Sequence, residues 1–306
     1  MTTLAYIPSP GFSKFQIGPF TIRMYAVCIL IGVCFAVCIL TRRWKRAGGT
    51  FDQVLDLTLV TVPCGLIGAR LYHCLSTPAM YFPPTGDPVD ILKVWEGGMA
   101  IFGGIGVGAL AAFLWCRHKH YPFALLLDCL APGLLVAQAI GRLGNWFNQE
   151  LYGKPTTLPW GLQLNENSDA IGHSEVCYQG AACPNGTLFH PTFLYEMIWN
   201  LIGAALIVWL GNRFASKLKA GQLAAVYMIW YGCGRSWIEE IRINYSTLIL
   251  GIRTNTWTAI LTALCGIVLF AVLKRYGKTY DELTATLRSI TSAQLYRILP
   301  ASTTWP

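Results

Sequence analysis

Charged side chains are scarce in this chain: Lys, Arg, Asp and Glu make up 12% of 306 residues against 54% apolar, and the mean hydropathy is +0.46. Soluble globular domains carry roughly 25% charged residues, so composition argues against one here. The motifs of the commonest metal and nucleotide chemistries are missing as well. The chain has no His-Glu-x-x-His, no paired Cys-x-x-Cys and no phosphate loop, and no metal or other cofactor is expected. Met1 to Phe20 lacks a basic stretch followed by an apolar core, so no cleavable signal peptide is expected and the first apolar run directs insertion itself. No repeat at a solenoid period stands out.

What the chain has is long apolar sequence. Runs near 20 residues fall at about 24 to 41, 54 to 75, 99 to 116, 122 to 141, 192 to 210, 222 to 238 and 256 to 273, each long enough to cross a hydrocarbon core of roughly 30 Å. The expected fold class is an all-α polytopic membrane protein with seven transmembrane helices and a small extracytoplasmic head or arm region. The second run is the weakest, because Pro63 and Arg70 interrupt it. Residues 1–23 read as an extracytoplasmic arm, 24–276 as the membrane domain with 150–190 inserted as a head, and 277–306 as a cytoplasmic tail with a helix around Asp281 to Leu295. Trp160 to Leu164 suggest a short strand in the head, and Pro83 to Pro88 a stretch without regular structure.

The basic residues give an orientation. Arg42, Arg43, Lys45 and Arg46, then Arg117 and Lys119, then Arg213, Lys217 and Lys219, then Lys274, Arg275 and Lys278 share one side if the spans alternate. The positive-inside rule makes that side cytoplasmic, with the N-terminus outside and the C-terminus inside. The net charge of +8 is thereby mostly topology signal and calls for no nucleic-acid partner. Of 11 cysteines, nine lie in or beside spans, where a thiol is a small buried hydrophobe. Cys177 and Cys183 fall in the outer segment, in a compartment that permits disulfides, and are expected to pair; two free thiols are the alternative. Gly103, Gly104, Gly106 and Gly108 resemble a nucleotide-binding run but lie inside an apolar span with no preceding strand, so close helix packing explains them better.

Two polar islands break the apolar pattern at the outer boundary. The first is Gly141-Arg142-Leu143-Gly144-Asn145-Trp146-Phe147-Asn148-Gln149-Glu150. The second is Tyr231-Gly232-Cys233-Gly234-Arg235-Ser236-Trp237-Ile238-Glu239-Glu240-Ile241-Arg242, in which helical spacing puts Arg235, Glu239 and Arg242 on one face. An ionisable group at membrane depth costs roughly 2.5 to 3.5 kcal/mol on insertion scales and calls for a cavity, a partner or a polar ligand. A guanidinium grips phosphate bidentately, so Arg142 and Arg235 point to an anionic headgroup or phosphate ester; the plainer reading is snorkelling, or pairing with Glu239 and Glu240. Tyr25, Arg70, Tyr72, His190 and Glu196 lie at the same level. Each has its own modest explanation: Tyr25 and Tyr72 in an aromatic belt, His190 opening a helix, Glu196 pairing with an arginine.

Taken together, the islands resemble the prolipoprotein diacylglyceryl transferases of bacterial inner membranes. The first strip with Tyr152 and Gly153 carries most of the likeness. Ile17-Gly18-Pro19 with Tyr25, Trp95-Glu96-Gly97-Gly98-Met99, His190-Pro191 with Leu194-Tyr195-Glu196, and Tyr231-Gly232 with Arg235, Glu239 and Arg242 follow in the family's order over about residues 15 to 275. The resemblance implies transfer of the diacylglyceryl group of phosphatidylglycerol to the lipobox cysteine thiol of a preprolipoprotein, with a thioether formed and glycerol 1-phosphate released. It implies a seven-span body with a periplasmic head and arms, no metal, and membrane lipids as surroundings. Arg142 and Arg235 would hold the phosphate. Asn145, Asn148, Glu150, Gly153, Tyr231 and Arg70 would shape the substrate site, with Tyr25, Glu239 and Arg242 completing the polar cavity.

The family pattern is broken at one position. Many members have a histidine where this chain has Phe102, so the general base that the resemblance would supply is missing, and His190 and Glu239 are the candidates for catalysis beside the two arginines. A polytopic anion or lipid transporter is the rival reading, weakened by the lack of matching broken helices in two halves.

Overall fold

The computed structural model describes residues 6–18, 20–94, 97–165, 186–243 and 246–298. The Cys177 and Cys183 pair lies outside the described residues, as do Trp95 and Glu96. In chain order come β1 (Ile7–Pro8), β2 (Lys14–Ile17), β3 (Phe20–Arg23), α1 (Met24–Arg46), α2 (Phe51–Ser76), α3 (Ile101–Lys119) and α4 (Phe123–Asn148). They are followed by β4 (Leu162–Gln163), β5 (Leu188–Phe189), α5 (Thr192–Arg213), α6 (Gln222–Ile241), β6 (Leu248–Ile249), β7 (Ile252–Arg253), α7 (Thr254–Tyr276) and α8 (Tyr280–Ile298). The molecule is mostly helical; β4 falls within the short strand expected at Trp160 to Leu164, and the other short strands are an addition to the all-α expectation.

Six of these helices, α1 to α5 and α7, are long and apolar enough to cross a membrane, as in a multi-pass membrane protein. Leu30, Leu59, Leu66, Ile105, Ile267 and Val268 are all more than half exposed, an outward apolar surface suited to lipid. The run expected as the sixth span, α6, is not among the six. Gln222, Arg235, Glu239 and Glu240 dilute its apolar residues. Conversely α2 passes unbroken through Pro63. Its start is fixed by Thr50, whose hydroxyl accepts the Gln53 N–H at 3.3 Å while the Gln53 side chain accepts the Thr50 N–H at 3.1 Å, a reciprocal cap worth about 1 kcal/mol.

By contacts the chain divides into two compact units, Met1–Leu40 with Leu127–Tyr280, and Thr41–Leu126 with Asp281–Pro306. In the first, α1 and α4 cross where a Cβ on Gly32 would meet the Ala137 carbonyl oxygen at 2.9 Å and one on Gly133 the Ala36 carbonyl oxygen at 3.0 Å. Only glycine lets the two backbones come so close. The core is built from Ala131 and Leu135 of α4, Ala204 and Ile207 of α5, and Leu223 of α6. A second pair of contacts locks α5 to α6: Trp199 and Trp230 stack with ring centroids 4.3 Å apart, and each indole N–H donates to the other's backbone carbonyl at 3.0 Å. Each indole nitrogen lies where a Cβ on the opposite glycine, Gly203 or Gly234, would stand.

The start of α6 is held from outside. Gly221 has a left-handed backbone (φ 92°) and offers no side-chain cap, so the N–H groups of Gly221 and Ala224 donate to the buried Asp128 carboxylate of α4 at 2.7 and 2.9 Å. A negative charge suits a helix N-terminus. Among the strands, β1 pairs parallel to β4 and β4 antiparallel to β5, while β2 and β3 form a hairpin leading into α1. Tyr152, Leu162, Leu164, Phe189 and Phe193 pack beneath the three-stranded sheet.

In the second unit α2 and α3 approach through Gly65, Gly68, Gly103, Gly104 and Gly108, which is the packing expected of the glycine run. Between them, among the described residues, only short 3-10 turns occur, at Pro78–Met80 and Pro88–Leu92. Helix α8, longer than the expected tail helix, docks through buried Leu287 and Thr291: Gln53 Nε2 donates to Thr291 Oγ1 at 3.1 Å and to Gln294 Oε1 at 3.0 Å, and Trp44 Nε1 donates to Gln53 Oε1 at 2.8 Å.

Candidate active site

The first polar island lies on the last turns of α4, against α1. A Cβ at Gly144 would meet the Tyr25 ring at 2.6 Å, so glycine there admits the phenol, which stands close enough to Glu150 and Arg142 to feel both charges. Arg142 Nη1 donates to Asn145 Oδ1 at 3.0 Å, Asn145 Nδ2 donates to Glu150 Oε1 at 2.8 Å, and Asn148 Nδ2 donates to the same oxygen at 3.2 Å. Gln149, with φ at 54°, turns the chain out of α4. Its side chain accepts the Asn165 N–H at 2.8 Å and donates to the Pro10 carbonyl at 3.3 Å, fastening the island to the head.

The second island meets the first through Glu196. This buried carboxylate on α5 pairs with three guanidinium groups: Arg142 through Nε, Arg235 through Nη1 at 3.1 Å, and Arg242 through Nη2. Glu239, also buried, is held by Arg235 Nη2 at 2.8 Å, Arg253 Nε at 3.2 Å and Arg242 Nη1 at 3.9 Å, and accepts from Asn255 Nδ2 at 2.9 Å. Sequence spacing anticipates one partner for Glu196; the fold supplies three. Arg142 and Arg235 keep part of their surface accessible, at 20% and 17% of the side chain, whereas Arg242 keeps 3%. Arg253 keeps 16%, and Glu196 and Glu239 hold these part-accessible side chains in place, an arrangement fit to receive an anion.

Arg253 and Asn255 escape the sequence reading. They sit at the start of α7 and reach Glu239 across the α6–α7 contact. Arg253 also donates through Nη1 to the carbonyls of Glu239 and Arg242, at 3.2 and 2.6 Å. The available signal is an arginine bordering an apolar run at the end opposite the basic clusters, where the positive-inside bias disfavours it.

Other expected site residues have different surroundings. Gly153 forms a β-bridge with Arg242 and donates its N–H to the His190 carbonyl at 2.9 Å, and a Cβ there would meet His190 and Ile241 at 2.8 Å. It therefore knots the loop after α4 to α5 and α6. The His190 ring nitrogen Nδ1 hydrogen-bonds the Tyr195 hydroxyl at 3.1 Å, and burial, aided by the Lys154 charge, pushes its pKa down. Tyr231 stacks on Tyr227 one turn before Arg235. Arg70 belongs to the other unit, where its guanidinium donates to the carbonyls of Asp90, Ile91, Lys93, Gly97 and Gly98 and lies over the Tyr81 ring. The glycine pair, at φ 103° and 73°, lets backbone reach this arginine. Phe102, in the first turn of α3, is exposed.

Known proteins carry similar sequences. The chain is 71% identical over 296 residues to a phosphatidylglycerol–prolipoprotein diacylglyceryl transferase of Bifidobacterium longum, covering 96% of this chain and 94% of that protein. It is 60% identical over 304 residues to the protein of the same name from Bifidobacterium adolescentis, covering 99% and 90%. A Streptomyces coelicolor relative, phosphatidylglycerol–prolipoprotein diacylglyceryl transferase 2, is 45% identical over 269 residues, covering 88% and 81%. The sequence pattern described as prolipoprotein diacylglyceryl transferase matches residues 13–272, a stretch that contains every arginine and glutamate of the cluster. With that match over most of its length, the chain belongs to the prolipoprotein diacylglyceryl transferase family.

Proposed function

We propose that this protein transfers the diacylglyceryl group of phosphatidylglycerol to the cysteine thiol of a preprolipoprotein lipobox, forming a thioether and releasing glycerol 1-phosphate. The observation that carries this reading is the cluster in which Arg142 and Arg235 present accessible guanidinium surface while Glu196 and Glu239 fix them. Arg142, Arg235, Arg242 and Arg253 bring four positive charges and the two buried carboxylates remove two, leaving a surplus of two before exposed Glu150 is counted. A phosphodiester enters with one negative charge, and a phosphate monoester leaves with more. A fixed cationic surplus stabilises the charge that grows as the carbon–oxygen bond breaks more than the charge already present, which is how binding becomes rate.

In this reading Arg142 and Arg235 hold the phosphate, Arg242, Arg253 and Glu239 brace them, and Asn145, Asn148 and Tyr25 line the headgroup side. Gly153 and Tyr231 shape the wall, while Arg70, in the other unit, organises the loop before α3. His190, kept neutral near pH 7 by its depressed pKa, positions the Tyr195 hydroxyl. We place α6 as a seventh span, the N-terminus and head outside, the C-terminus in the cytoplasm, and the whole in the bacterial inner membrane, since the basic clusters then lie on one side. The site then opens toward the outer leaflet.

The purified protein, given phosphatidylglycerol and a lipobox peptide, is expected to yield a thioether-linked lipopeptide and glycerol 1-phosphate. A transporter or a lipid-binding scaffold yields neither. Arg142→Lys and Arg235→Lys keep a charge but lose the planar fork, and each is expected to abolish most transfer at normal protein level. Near-normal transfer would remove that arginine from phosphate binding.

A further inference from the structure

Three carboxylates border the site, and two of them are committed to arginines. Glu196 and Glu239 each face several guanidiniums, which occupy their oxygens. Glu150 is built differently. It is exposed, and no ion pair among the described residues reaches it. Its hydrogen bonds among the described residues, from Asn145 and Asn148, both end on Oε1. Amide donors orient a carboxylate without neutralising it, and among the described residues no hydrogen bond reaches Oε2.

Its position is equally specific. Asn145 is 5% exposed and spends its amide on one connection: the oxygen accepts from Arg142 and the nitrogen donates to Glu150. One buried amide therefore separates the arginine that faces the phosphate from a carboxylate able to take a proton. The Tyr25 phenol of α1 shares this corner and is electrostatically linked with both Glu150 and Arg142 of α4. The proton of the incoming thiol needs an acceptor at this site.

Building on the transferase reading above, we propose that Glu150 is the general base of this enzyme. The thiol S–H bond breaks as its proton passes to Glu150 Oε2, and the sulfur lone pair forms the bond to the glyceryl carbon. The carbon–oxygen bond to the phosphate breaks, with its electron pair leaving on the phosphate oxygen held by Arg142 and Arg235. The proton then passes from Glu150 to the departing phosphate or to water, restoring the carboxylate. Asn145 couples the two halves, since the same amide that fixes Arg142 fixes the base.

Glu150→Gln tests this, because the amide keeps an acceptor for Asn145 and Asn148 but cannot take a proton. Rates are read with two lipobox peptides, one bearing cysteine and one bearing selenocysteine, whose selenol ionises at neutral pH without help. Transfer to cysteine is expected to fall by roughly 10² to 10⁴, the usual contribution of a general base, and to recover as pH rises toward the thiol's own pKa of about 8.5. Transfer to selenocysteine is expected to stay within a few-fold of wild type. Equal losses with both peptides would make Glu150 a positioning residue and overturn the proposal, as would an unchanged cysteine rate. If Glu150→Gln does not accumulate, Glu150→Asp serves the same comparison: a shortened carboxylate slows cysteine transfer selectively, and equal slowing of both overturns the proposal. Wild-type protein that lipidates neither peptide would fail the transferase reading itself, a result distinct from any of these.

Discussion

Trp199 and Trp230 exchange indole hydrogen bonds across the α5–α6 contact, each donating to the other's backbone carbonyl at 3.0 Å while their rings stack. The exchange sets the spacing on which the charge cluster depends. Glu196 stands one turn before Trp199, and Arg235 follows directly on Gly234, the glycine beneath the Trp199 indole. Gly234→Ala is therefore expected to displace Arg235 from Glu196 and lower transfer by an order of magnitude or more, since overpacking a close contact costs about 1 to 3 kcal/mol. Gly106→Ala, where a Cβ meets open space, is the matched control and is expected to be silent. Equal activity of the two variants would show that the indole exchange does not set the site.

Glu196→Gln removes the charge that three guanidiniums share. Breaking a buried ion cluster by removing one member costs about 3 to 5 kcal/mol. The variant is expected to unfold at clearly lower temperature in detergent and to lose transfer. A wild-type melting temperature would mean the arginines find other partners at no cost.

The depressed pKa of His190 gives stability a sign with pH. Its folded pKa lies below the unfolded value near 6.5, so between the two the unfolded chain binds more protons and stability rises with pH. Stability is expected to decline as pH falls below about 6.5 and through the folded pKa. His190→Gln, which cannot charge, is expected to flatten this part of the curve. Parallel melting curves for the two proteins from pH 7 to 5 would contradict it.

Orientation can be read by labelling single introduced cysteines in a cysteine-free background. Probes at Gly48 and Lys219 are expected to react only from the cytoplasmic side and one at Asn167 from outside. Outside labelling at Gly48 would invert the proposed arrangement.

Much of the site is legible in the sequence because its charges come in short islands on helices. Arg235, Glu239 and Arg242 need only helical spacing to share a face, and the fold adds that Glu196 gathers Arg142, Arg235 and Arg242 onto one carboxylate. Arg253 and Asn255 are harder to see, since their link to Glu239 depends on how α6 and α7 pack, which no local pattern carries. The head sheet is harder still. It pairs Ile7 with Leu162 across strands two residues long, too short for alternation to register. Arg70 looks from sequence like a site residue because a charge in an apolar run asks for a partner, and the partners turn out to be backbone carbonyls, which composition does not reveal.

The dependence of α6 on Asp128 at its start and on the guanidinium–carboxylate cluster at its end bears on how the chain is made. On the proposed placement of α6 as a span, its polar ends find their partners on α4, α5 and α7. Assembly of the charge cluster is then expected to be a checkpoint in biogenesis as well as a condition of the proposed transfer. A defect in the cluster leaves an α6 that the insertion machinery has delivered and the bilayer has no reason to keep, a ready substrate for membrane proteases.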